Sequence, residues 1–161
     1  MARPKADQGL MPSLIDRLTD PESAGSALVR GYGPAQMMDA VRDDLEALFN
    51  THDSSLFIPP EYVEVHKSIL AYGLPDMPSL SKAADFRRDD IGRLIEEVIA
   101  RHEPRLRDIR VVVVDSEGPA TQNRIRFHIE ARLNVDPSPE VEFETVLEMT
   151  TGQASISPPG R

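Results

Sequence analysis

Residues 101 to 110 read RHEPRLRDIR and bring four arginines, two acids, a histidine and a proline into ten positions. Glu103 is the carboxylate in this stretch whose setting could support chemistry. A general acid must keep its proton, and burial among apolar groups is what holds it there. Arg101, Arg105 and Arg107 do the reverse, because neighbouring cations favour the ionised carboxylate. A glycosidase also needs a second carboxylate across the scissile bond. Glu96 and Glu97 lie beside an apolar helical stripe, where a charged pair forms the solvated flank. The remaining chemistry is recognition. In one reading Pro104 stops a helix while Glu103 and Arg105 bridge locally, which contributes little if exposed. In the other, Arg105 presents its planar fork to carboxylates or helix-end carbonyls of another protein.

Other catalytic patterns are missing from the sequence. His52, His66, His102 and His128 are scattered, with no pair at the i, i+4 spacing of a helical metal motif. There is no cysteine, hence no disulfide and no thiolate zinc site. Neither a nucleophile elbow nor a glycine-rich phosphate loop occurs. The expectation is a non-enzyme with no catalytic residues, metal, cofactor or small-molecule substrate. A formal net charge of -9 and a pI near 4.9 disfavour nucleic acid and anionic lipid as partners, leaving protein. No uncharged apolar run is long enough to span a bilayer, and MARPKADQGLMPS lacks an apolar signal region. A cytoplasmic location is expected.

The elements that must hold the 101–110 corner can be read from periodicity. At 161 residues the chain suits one domain. The expected division is a flexible N-terminus over 1–12, a single domain over 13–153 and a flexible tail over 154–161; within the domain, 13–33 form a short helix and a linker. Ser13 and Asp16 suggest a capping box for that short helix. Gly33-Pro34 opens a second helix, with Met38, Val41, Leu45 and Leu48 on one face and Asn50 as its stop. Arg42, Asp43, Asp44 and Glu46 lie largely off that face. Tyr62 to Val65 alternates like a strand within a long connection. The longest helix should start near Asp85, bury Ile91, Leu94, Ile95, Val98 and Ile99, and end at Glu103 because Pro104 follows.

The rest reads as sheet. Ile109 to Val114 is β-branched, 124–135 alternates strictly, and 141–149 alternates after the corner DPSPE. The predicted fold class is α+β, a two-layer arrangement with helices packed on one face of a small antiparallel meander of about three strands. Val112 and Val114 point away from Ile109, Val111 and Val113, so this strand is covered on both faces or meets a partner. For register, Val135 opposite Val141 sets Arg132 against Glu144 and His128 against Glu148, avoiding like-charged pairs. A shift that sets Glu130 against Glu144 is disfavoured.

SLIDRL, RDDLEALFNT, SILAYGLPD, HEPRL, RFHIEARLNVDPSPE and FETVLEMTTG, in this order over roughly residues 12 to 153, resemble the TssE family of type VI secretion baseplate subunits. That family is related to the small wedge subunit of contractile phage baseplates, historically labelled lysozyme-like. The resemblance implies that Glu103, Pro104 and Arg105 contact a bundle of helices from other wedge subunits of the TssF and TssG type. It implies a packing motif at Tyr72, Gly73, Leu74, Pro75 and Asp76. It also implies strand exchange with sheath proteins of the TssB and TssC type, by pairing at a sheet edge.

Two departures stand out: His102 replaces a common phenylalanine, and the 52–66 connection has no counterpart. A peptidoglycan-cleaving enzyme and a freestanding regulatory binding module are the competing functions. Arg105→Ala is expected to leave the isolated fold intact and impair partner binding.

Overall fold

A computed structural model describes residues 10–19, 31–54, 58–77, 88–114 and 124–158. Helix α1 is Leu14–Thr19, α2 is Pro34–Phe49 and α3 is Arg88–His102 as described. The expected start of the last helix near Asp85 lies outside the described residues. Strands β1 (Leu106–Val114), β2 (Arg124–Leu133), β3 (Glu140–Glu148) and β4 (Ala154–Ser157) form one antiparallel sheet in the order β1-β2-β3-β4. The class is α+β, with one strand more than expected. β4 begins at the position where a flexible tail was expected, and its Ala154 and Ile156 are buried.

Each helix follows local chemistry. The Asp16 amide donates to Ser13 Oγ at 3.1 Å and the Ser13 amide to Asp16 Oδ2 at 3.2 Å, completing the predicted capping box of α1. Pro34 sits at the start of α2, where its missing amide loses no helical bond. Met37, Val41, Leu45, Leu48 and Phe49 are buried along α2; Met37 takes the fully inward position and Met38 packs at its flank. Asn50 ends the helix and bonds β4 from both ends of its amide: Nδ2 donates to Ala154 O at 2.9 Å and Oδ1 accepts from Ala154 N at 3.0 Å. On α3, Ile91, Ile95, Val98 and Ile99 are buried as the stripe predicted, whereas Leu94 is only partly buried against the core.

The helices cover the apolar face made by Ile125, Phe127, Ile129, Ala131 and Leu133 of β2 with Val141, Phe143 and Leu147 of β3. Phe49 of α2 meets Phe127 edge-on at 6.1 Å between ring centres. Glu96 of α3 is not a solvated flank. Its carboxylate accepts the Val111 amide of edge strand β1 at 2.8 Å, which occupies one backbone donor of that edge.

The Tyr62–Val65 segment is not a strand. Bonds from Tyr62 N to Pro59 O and from Val65 N to Tyr62 O fold it into turns, followed by 3-10 turns at Val65–Lys67 and Ile69–Ala71. Tyr62 and Val63 are exposed, so their alternation marks no buried face.

The register also differs from expectation. Ala131, not Val135, faces Val141, and the pairs are His128 with Glu144, Glu130 with Glu142 and Arg132 with Glu140. The displacement preserves side-chain parity, so each residue keeps its expected face. Its cause is the corner: Leu133 N bonds Pro139 O at 3.0 Å and Ser138 Oγ donates to Leu133 O at 2.5 Å, while Val135 is buried from within the turn. The Glu130–Glu142 pair is offset from the other side by Arg110 of β1, which faces Glu130.

One irregularity phases β1. Between Arg107 and Arg110 the pairing slips, and Asp108 adopts φ 52°, the left-handed region that aspartate tolerates better than most residues. Leu106 therefore shares the inner face with Ile109, Val111 and Val113 despite its different parity. Val112 is left on the opposite face, 38 % exposed.

Candidate partner-docking site

Proline at 104 sets the corner. Glu103 leaves helical geometry, yet its amide still bonds Ile99 O at 2.8 Å, and Leu106 N bonds Glu103 O at 3.1 Å as the chain enters β1. Asn134, from the β2–β3 corner, donates its amide to Arg105 O at 2.7 Å. Three elements thus hold the tripeptide. Pro104 remains exposed at its tip.

Glu103 is 4 % exposed, and Arg105 supplies its hydrogen bonds. One carboxylate oxygen accepts the Arg105 amide at 3.1 Å and Nε at 2.7 Å; the other accepts Nη2. Nη2 also donates to Asp44 Oδ2 of α2 at 2.5 Å, and Nη1 approaches Met37 Sδ at 3.9 Å. Burial alone would lower the guanidinium pKa. The Glu103 and Asp44 carboxylates outweigh it and hold Arg105 above its ordinary value. The fork expected to face a partner is instead turned into the chain: it bridges Glu103, as the local reading has it, and it also ties the corner to α2.

The motif at 72–76 lies beside this cluster. The Tyr72 ring packs edge-on against His102 at 5.2 Å. Burial first, then the Asp44 and Glu103 charges, raise the Tyr72 phenol above its usual value. Gly73 has φ 121°, and a Cβ there would sit 2.2 Å from Thr51 O, so only glycine fits. Leu74 bonds Thr51 and Asp53 through its backbone at 2.8 and 2.9 Å; it and Pro75 are buried, while Asp76 is exposed. Tyr72 belongs with Glu103 and Arg105, whereas Gly73 to Pro75 serve packing.

Between Tyr72, the 102–105 corner, Leu45 and Leu48 of α2 and the 11–15 segment lies an open groove of about 390 Å³. Asp44 is the site residue that sequence reasoning missed. Periodicity places it off the apolar face of α2 and gives no sign of Arg105, 61 positions away. Among the described residues no group of histidines and carboxylates is arranged to hold a metal, and no helix is long and apolar enough to cross a membrane.

The chain thus sets helices on an antiparallel sheet, with a charged corner beside an open groove. The chain belongs to the family described as baseplate wedge protein gp25, whose model matches residues 35–138. That is a structural class. A search of curated proteins finds no match. Among solved structures, "The baseplate complex from the type VI secretion system" is similar at 18 % identity and a TM-score of 0.47, over 68 % of this chain and 93 % of that one.

Proposed function

We propose that this chain is a TssE-type subunit of a type VI secretion baseplate. It works as a cytoplasmic, non-enzymatic part of the wedge, with residues 13–153 as its single working domain. The corner Glu103-Pro104-Arg105 docks on helices of partner subunits of the TssF and TssG type. The sheet pairs with strands of sheath proteins of the TssB and TssC type and so helps start sheath assembly.

The order of the sequence motifs supports the type VI assignment. One observation carries the docking role: a tripeptide within the family's matched region is fixed by α2, α3 and the β2–β3 corner, with exposed Pro104 at the edge of an open groove. Rigid presentation lowers the ordering cost of binding. Glu103 accepts three donors from Arg105, an arrangement that suits an ionised carboxylate and not a proton donor.

The test is a pull-down of wild-type and Arg105→Ala protein from cells, scaled to the amount of folded protein, with bound wedge subunits identified. The folded variant should lose them, by about 2 to 5 kcal/mol of binding. Undiminished binding would overturn the docking role. Peptidoglycan turnover by the purified protein, abolished in Glu103→Gln, would overturn the structural reading altogether.

A further inference from the structure

Helix α1 buries none of its residues. Within α1, Leu14, Ile15 and Leu18 stand at i, i+1 and i+4 and are 67 %, 70 % and 76 % exposed, and Met11, just ahead of the helix, is 66 % exposed. This is the spacing of a core-facing helical stripe, turned to solvent. Six residues are too few for a helix to persist on its own, so α1 needs a neighbour along this face. The stripe continues into the groove, which Met11, Leu14 and Ile15 line together with Pro104 and Arg105.

Charge selects the occupant. Among the residues that line the groove the carboxylates of Asp44 and Glu103 outnumber the guanidinium group of Arg105, on a chain of net charge -9. Arg105 is already engaged by Glu103 and Asp44. An incoming acidic group would meet an excess of negative charge, whereas a lysine or arginine would complement Asp44. The shape of the contact also has a direction. Residues at three- and four-residue steps make a ridge, and the surface that fits such a ridge is the groove of another helix.

We infer that the α1 stripe is the second wall of the docking site, and that it takes an amphipathic helix of a partner subunit carrying lysine or arginine beside its apolar face. This rests on the docking role proposed for the Glu103–Arg105 corner and adds to it a position and a chemistry.

The full chain is co-expressed with the other wedge subunits, and recovery of the complex is measured for wild type, Arg105→Ala and the double variant Leu14→Glu with Leu18→Glu. Both leucines are exposed, so the double variant should keep the wild-type unfolding midpoint. It should lose binding by about tenfold or more, as expected for removing apolar anchors. If Arg105→Ala fails to bind while the double variant binds as wild type, the inference is overturned and the docking role stands. If neither variant is impaired, both fall.

A photo-crosslinking residue at Ile15 then reads the occupant. The expected product is a partner peptide with apolar residues at helical spacing and a flanking lysine or arginine. Crosslinks to an acidic segment, to residues 20–30 of the same chain or to a second copy would overturn the assignment.

Discussion

Glu103 and Arg105 close a ring across Pro104: the buried carboxylate accepts the backbone amide and two side-chain donors of a residue two positions later. This revises the expectation that Arg105→Ala spares the isolated fold. Removing the guanidinium leaves a carboxylate only 4 % exposed without its cation and unties α2 at Asp44. Because Arg105 itself is 24 % exposed on its side chain, the loss should fall below that of a fully buried pair, at about 2 kcal/mol. Urea denaturation measures it. An unchanged midpoint would show the ring to be dispensable for folding.

Tyr72 gives the site an alkaline signature. Burial, then Asp44 and Glu103, raise the phenol above 10.0, so the fold favours its protonated form. A raised pKa contributes stability below the unfolded value, and that contribution is lost as pH rises through the folded one. Tyr72→Phe keeps the ring against His102 and removes the titrating group. Its stability should decline less than that of wild type between about pH 9 and pH 11. Parallel curves for the two proteins would remove Tyr72 from the account.

Thr145 is 1 % exposed on β3, opposite Phe127, and its hydroxyl finds no hydrogen-bond partner among the described residues. A buried hydroxyl without a partner opposes folding by its lost hydration. Thr145→Val should therefore stabilise the protein by about 1 kcal/mol, read as a higher unfolding midpoint. A lower midpoint would mean that the hydroxyl is satisfied.

The pairing of Glu130 with Glu142 places like charges opposite each other. Glu142→Gln should stabilise by a few tenths of a kcal/mol, about the size of a cross-strand charge effect. The gain should shrink in high salt, because exposed charges are screened. A salt-independent gain would point away from electrostatics.

That pair also shows where the sequence stopped being legible. Alternation within β2 and β3 placed each side chain on its face, and the apolar stripe with Pro104 placed the end of α3. Both signals are local. Register depended on Val135 being buried inside the corner and on Arg110 arriving beside Glu130 from β1, neither visible in the two strands themselves. Likewise, Glu103 and Arg105 were evident as neighbours, while Asp44 reaches them only through the packing of α2. Glu96 looked like a flank because periodicity reports which face a residue occupies and not which backbone amide awaits it.

Asn50 and Ala154 join the last residue of a helix cap to the first of a terminal strand, 104 positions apart. During synthesis, α2 emerges from the ribosome well before the segment that completes its end. The apolar face of α2 packs against strands that are made later, so its contacts close only as β2, β3 and β4 emerge. The Asn50–Ala154 bonds can form only once residue 154 has emerged, so the end of α2 and the strand that completes it are joined late in synthesis.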